Sequence, residues 1–212
     1  MPELPEVEVV KRSLQRDIIN LTIKNVEINN VNLRYKVKKK EFYKLVKNKV
    51  ISIKRRSKYL LINLSGQITI IVHLGMTGKF FIENSKKKIK KLSFYYELDN
   101  KKKKHDHLIF KFNKNIKLIY NDVRRFGFIK IIKTAEIINI SHLKSLGPEP
   151  MSDNFNSKYF INYIINKNRT IKDLLMDQKF VAGLGNIYVN EILFLSNIMP
   201  QKKNKVYCKK IN

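Results

Sequence analysis

The feature that most constrains this chain is a change of hydrophobic period partway along it. After an opening helical stretch apolar residues alternate with polar ones up to about residue 134, and beyond it they recur at helical spacing. Ile68, Ile70, Val72 and Leu74 alternate, as do Leu108, Phe110 and Phe112, and then Ile116, Leu118 and Tyr120. A period of two puts such residues on one face of a strand. Val26 with Ile28, Ile51 with Ile53, and Tyr59 with Leu61 and Ile62 mark further short runs, and Phe126 to Ile132 is an apolar run broken by Lys130. Short strands separated by turn signals such as Ser65-Gly66 predict an antiparallel sandwich or barrel. Ahead of them residues 3–19 read as a helix, with Val7, Val10, Leu14 and Ile18 on one stripe and Pro5 suited to a first turn. After the loop Gly147-Pro148-Glu149-Pro150, residues 153–166, 170–177 and 185–198 read as helices. Ser152 or Asp153 is the expected cap of the first, and Ile187, Tyr188, Ile192 and Leu195 are expected to share a face of the last. The expected class is α+β: a helix and antiparallel β-sandwich over residues 1–133, a hinge over 134–150, and a helical domain over 151–212.

Charge narrows the partner. Lys and Arg number 44 against 17 Asp and Glu, a formal net charge of +27. Such an excess seeks a polyanion, because Lys and Arg neutralise phosphates and release condensed counterions. Part of it is a general bias toward Lys, Asn and Ile, so placement matters more than the total. The lysine-heavy stretch from Ser85 to His107 reads as a solvated loop. No apolar run is long enough to span a bilayer, which disfavours a membrane partner. The single cysteine, Cys208, allows neither an intrachain disulfide nor a four-cysteine metal site. The opening residues lack a secretory pattern, so a cytoplasmic, nucleoid-associated monomer is expected.

Candidate chemistry sits at the start, Met1-Pro2-Glu3-Leu4-Pro5-Glu6-Val7-Glu8. Removal of Met1, expected before a small residue, exposes Pro2 as a secondary amine. Attack on a sugar carbon then gives a cationic iminium directly, an electron sink. Glu3 beside it is placed to move protons. Taken alone, Pro2 only directs Met removal and Glu3 only favours a helix N-terminus. The Gly183-Leu184-Gly185-Asn186 turn opens a helix, where exposed N–H groups suit a phosphate. No strand–helix–strand unit surrounds it, which argues against a dinucleotide site.

The opening resembles the start of the formamidopyrimidine-DNA glycosylases. Six further landmarks follow in that family's order: Arg55-Arg56-Ser57-Lys58-Tyr59-Leu60-Leu61, His73-Leu74-Gly75-Met76-Thr77-Gly78, His105-Asp106-His107, Asp122-Val123-Arg124-Arg125-Phe126-Gly127, Leu146-Gly147-Pro148-Glu149-Pro150 and Gly183-Leu184-Gly185-Asn186-Ile187-Tyr188. The resemblance implies a helix, a β-sandwich and a helix–two-turn–helix domain. It implies a bifunctional glycosylase and abasic-site lyase that acts on double-stranded DNA bearing oxidised purines such as 8-oxoguanine and formamidopyrimidines, or abasic sites. The Leu4 position favours this branch over the related endonuclease VIII branch, which prefers oxidised pyrimidines. Pro2 becomes the nucleophile, Glu3 the acid that helps open the sugar, and Lys58 a proton donor. Lys58 is expected at a strand start, with its ammonium projected outward from a β-hairpin. Met76, Arg124 and Phe126 are implied to fill the gap left by an everted base, with Arg124 and Phe126 on one side of a strand or tight loop and Arg125 on the other. His105, Lys167, Lys172 and Asn186 are implied to touch the DNA backbone.

The pattern breaks after Pro200, where twelve residues remain. The family's zinc hairpin of four cysteines, its arginine and its base-covering loop have no counterpart here, so no cofactor is expected in these residues. A shortened helical domain is expected to expose apolar surface of residues 185–198. Val123 stands where the family commonly has proline. Two further readings compete: a degenerate, non-catalytic DNA binder of the same family, and a basic RNA- or ribosome-associated protein. The second leaves the ordered landmarks unexplained.

Overall fold

The computed structural model describes residues 2–84, 89–91, 103–165 and 167–203. Cys208 and most of the lysine-heavy stretch lie outside the described residues. The chain divides into two compact units, Met1–Ile138 and Asn139–Asn212.

The first unit opens with α1 (Leu4–Ile18), whose Val7, Val10, Leu14 and Ile18 are buried, the stripe the spacing predicts. Strand β1 (Ile23–Ile28) and the short helix α2 (Lys39–Tyr43) follow. Then come β2 (Val50–Arg56), β3 (Tyr59–Leu64), β4 (Ile68–His73), β5 (Lys79–Glu83), β6 (Ile89–Lys91), β7 (Asp106–Phe112), β8 (Lys117–Asn121) and β9 (Phe128–Lys133). All pairings are antiparallel, in one sheet of order β1-β7-β8-β5-β6 and another of order β2-β3-β4-β9. Inward residues of both sheets, such as Phe110 and Leu118 from one and Ile53, Ile62 and Val72 from the other, join the α1 stripe in a single core. The sandwich follows, because each sheet buries one alternating face against the other. Helix α1 is tied to β2 at its far end, where the Gln15 amide donates to the Ile53 carbonyl at 2.9 Å.

Three elements escape the periodicity. In β5, Phe80 and Ile82 are buried while Phe81 between them is only half-buried, and three consecutive apolar residues hide that alternation. The α2 helix buries only Phe42, too little for a stripe. Strand β6 and the start of β7 lie inside the stretch read as a solvated loop. There Ile89–Lys91 pairs with Phe81–Glu83, so backbone pairing overrides the local lysine content.

In the second unit the helices are α3 (Ser141–Lys144), α4 (Ser157–Ile164), α5 (Ile171–Met176) and α6 (Asn186–Leu195). The expected cap of α4 is corrected. Asn156 caps it by accepting from the Tyr159 N–H at 3.0 Å, while the Ser152 hydroxyl donates to the Glu149 carbonyl and closes the preceding turn. Phe180 centres the core, stacked on Tyr163 at 4.3 Å and with its carbonyl held by the Tyr159 hydroxyl at 2.8 Å. Ile187, Ile192 and Leu195 share the exposed side of α6 with Phe194, the apolar surface expected of residues 185–198, while Val189 and Leu193 are the buried pair. Helix α6 is apolar nearly all round, so its sequence does not single out the inward stripe.

Candidate active site

The start of α1 gathers three charged side chains. Pro2 is half-buried just ahead of the helix, and Glu3 is its N-terminal cap. The Glu6 carboxylate reaches back to accept the Glu3 N–H at 2.8 Å, as in a capping box. Glu3 is 3% exposed and Lys58 only 6%. This corrects the outward projection expected of Lys58. It lies in the two-residue turn between β2 and β3, and its ammonium is buried under the influence of Glu3 and Glu6. Burial lowers its pKa from the ordinary 10.5, and the two carboxylates pull it partly back.

The turn is shaped by a left-handed residue and by an arginine. Ser57 adopts φ +54, a left-handed conformation unusual for a residue with a side chain. The Arg55 guanidinium donates to the Ser57 carbonyl at 3.0 Å and to Glu8 on α1 at 2.9 Å. Burial opposes the charge on Glu8, but hydrogen bonds from Lys11, Arg55 and Arg12 outweigh it and hold the pKa at about 2. One guanidinium thus fixes the Lys58 turn to the helix that begins at Glu3.

A second cluster forms where two loops meet. The turn from Leu74 to Gly78 carries Met76, and the loop from Asp122 to Gly127 carries Arg124 and Phe126. Arg124 and Phe126 are therefore on a tight loop, with the guanidinium 4.6 Å from the Phe126 ring centroid. Met76 is 37% and Phe126 46% exposed, unusual for apolar side chains with a core nearby. With Arg34, His73 and Arg125 they line an open cavity of about 660 Å³. His73 Nδ1 accepts the Gly75 N–H at 3.1 Å, which leaves the ring proton on Nε2. Gly75 has φ +63, and a Cβ there would lie 2.5 Å from the Gly127 nitrogen and the Phe126 carbonyl carbon. The loops abut so closely that only glycine fits. Buried Asp122 joins them: Thr77 Oγ1 donates to its Oδ1, and the Gly127 N–H donates to Oδ2 at 2.8 Å. Half-buried His105 meets this group through its carbonyl, which accepts the Asp122 N–H at 3.1 Å.

In the second unit the exposed Lys167 follows α4, its ammonium 5.0 Å from the Tyr163 ring centroid. Lys172 is half-buried in the first turn of α5. Asn186 is exposed as the first residue of α6, with Gly185 as its cap. Gln178 shapes the approach: its carbonyl accepts the Gly183 N–H at 2.9 Å and its amide donates to the Leu184 carbonyl at 2.8 Å. Gly183 takes φ +109.

Sequence reasoning did not single out Glu6, Arg34, Arg55, His73, Thr77, Asp122 or Gln178. Most stand inside or beside the quoted landmarks, so adjacency was the one available signal. Among the described residues no three His, Cys, Asp or Glu side chains gather as a metal site would need. Among them, too, no helix is long and apolar enough to cross a membrane.

Residues 1–129 match the model of the formamidopyrimidine-DNA glycosylase N-terminal domain, and residues 146–211 match that of the H2TH domain of the same enzymes. A formamidopyrimidine-DNA glycosylase of Rickettsia bellii is 42% identical over 205 residues, covering 97% of this chain and 70% of that protein. One of Bartonella tribocorum is 41% identical over 206 residues, covering 95% and 69%. Among solved structures, the Lactococcus lactis Fpg bound to DNA with an abasic site superposes with TM-score 0.82 at 35% identity, covering 96% of this chain and 70% of that one. An inhibited form of the Lactococcus enzyme with DNA containing N7-benzyl-Fapy-dG gives 0.83 at 36%.

Proposed function

The chain belongs to the formamidopyrimidine-DNA glycosylase family, and from that membership we propose a DNA glycosylase and abasic-site lyase of base excision repair, acting through Pro2 on oxidised purines in duplex DNA. The observation that carries the reading is the burial of Lys58 beside Glu3 at the start of α1. A cation and a carboxylate taken out of water next to Pro2, which becomes a free amine on removal of Met1, form an acid–base set, which plain structural capping does not need.

With Met1 removed, the Pro2 nitrogen attacks C1′ of the damaged nucleoside. The N–C1′ bond forms, the base departs with the electron pair of its glycosidic bond, and the proton shed by the Pro2 nitrogen ends on the departing base. Glu3 delivers a proton to the ring oxygen as the C1′–O bond opens, which leaves an iminium. The cation acidifies the C2′ hydrogen, and loss of that proton expels the 3′ phosphate by β-elimination. Lys58, with its pKa lowered by burial, parts with a proton more readily than an exposed lysine and serves as donor in these steps. Met76, Arg124 and Phe126 occupy the space an everted base vacates, which offsets a few kcal/mol of lost stacking. His105, Lys167, Lys172 and Asn186 bind the backbone and set register rather than sequence. We place this activity in the cytoplasm, where the duplex substrate lies. The four-cysteine zinc set of the family does not fit these 212 residues, which hold one cysteine, and no step is routed through it.

The test is borohydride trapping on a duplex with one abasic site, using protein whose intact mass shows loss of Met1. A covalent protein–DNA adduct supports the reading. Its absence at high protein concentration favours the non-catalytic DNA binder, and a retained Met1 that still traps overturns the assignment of Pro2.

A further inference from the structure

Asp122 is fully buried and its carboxylate accepts from three directions. Thr77 Oγ1 donates to Oδ1, and both the Gly127 N–H at 2.8 Å and the Tyr120 hydroxyl at 3.3 Å donate to Oδ2. Thr77 relays the tie. Having given its one hydroxyl hydrogen to Asp122, its oxygen accepts the Arg124 N–H at 3.0 Å. The main chain of Asp122 is fixed as well, with its carbonyl accepting from His107 Nε2 at 2.7 Å. Each oxygen therefore holds a different loop: Oδ1 the one that carries Met76, Oδ2 the one that carries Phe126. Both loops present apolar side chains to solvent, a conformation that hydrophobic packing does not maintain.

We propose that Asp122 is a positioning residue that locks Met76, Arg124 and Phe126 into one rigid wedge, so that the three enter the duplex together. The inference rests on the glycosylase reading above and deepens it. Burial alone would be met by any apolar side chain of similar size, whereas two loops with donors facing inward require an acceptor with two free edges. Asparagine keeps one acceptor oxygen for the Gly127 N–H and can only donate to Thr77 Oγ1, so Asp122→Asn replaces the charge-assisted tie to the Met76 loop with a weaker neutral one. Thr77→Val breaks the relay without touching the carboxylate, and Thr77→Ser restores the hydroxyl.

The wedge acts only on a strand held in a helix, so the test compares abasic DNA in duplex and in single-stranded form. In both Asp122→Asn and Thr77→Val, borohydride trapping on the single strand stays within about twofold of the parent, whereas the duplex rate falls at least about tenfold, as expected for a displaced positioning group. Thr77→Ser recovers the duplex rate. Equal losses on both substrates, or an unchanged ratio between them, overturn the proposal. If Asp122→Asn loses its cooperative thermal melt, the Thr77 pair decides the question by itself. A second readout needs no chemistry: 2-aminopurine opposite the abasic site brightens when the parent binds and brightens less with Thr77→Val. Equal brightening also overturns the proposal. Parent protein that unstacks 2-aminopurine yet traps neither substrate refutes the lyase reading and leaves the wedge standing.

Discussion

Arg55 and Glu8 form an ion pair, Nε to Oε2 at 2.9 Å, that spans from β2 to α1. The same guanidinium holds the Ser57 carbonyl, so the pair sets where Lys58 sits relative to Glu3. Lysine has no planar fork with which to make both contacts at once.

Glu8 gives the fold a defined acid limit. Its folded pKa of about 2 lies below the ordinary 4.5. A depressed carboxylate stabilises the folded state above its unfolded value, and that contribution is lost as pH falls from 4.5 toward 2. Glu8→Gln is expected to cost about 1 kcal/mol at neutral pH, since the group is partly solvated. Thermal melts across that acid window will show a shallower loss for the variant than for the parent.

Lys58 is expected to set an alkaline limb. Burial lowers its pKa, so it loses its proton at a pH below the ordinary 10.5. Single-turnover β-elimination on abasic duplex is expected to fall as pH rises through that lowered value. Lys58→Arg, still protonated there, loses the limb and keeps a reduced plateau, while Lys58→Ala slows the step by about 100-fold or more. A pH–rate profile with the same limb in Lys58→Arg would assign it to another group.

Gly75 is a point where the two loops meet backbone to backbone. A Cβ at φ +63 would stand 2.5 Å from backbone atoms of the facing loop, which cannot retreat as a side chain can. Gly75→Ala is expected to destabilise by about 1–3 kcal/mol and to weaken duplex binding more than single-strand binding. Chemical denaturation and fluorescence anisotropy on the two forms of DNA measure both effects.

In its proposed role Lys167 supplies charge without sequence preference. Lys167→Ala should weaken binding alike on all duplexes and reduce the slope of log K against log salt by about 0.9. An unchanged slope would remove it from the DNA contacts.

Legibility followed the physics of each element. The α1 stripe and strands such as β4 and β7 were readable because one face of each is buried, and burial writes a period into the sequence. β6 was not, since its pairing is main-chain and its three residues carry two lysines. Pro2, Glu3 and Lys58 could be nominated through the motifs, but the burial of Lys58 could not, because it depends on a turn conformation at Ser57 that no spacing encodes. Asp122 stayed invisible for a similar reason: its partners Thr77 and Gly127 are tied to it by loop geometry, not by a repeat.

Chain ends ordinarily fray, and a reagent mounted on one would search a large volume. Here fifteen helical residues moor the end, with Leu14 and Ile18 wholly enclosed several turns away. With Pro2 in its proposed role, the core beneath that helix sets the effective molarity of the attacking amine. Hollowing it out at Leu14 would be felt as slower bond-making at the sugar, far from any atom that reacts.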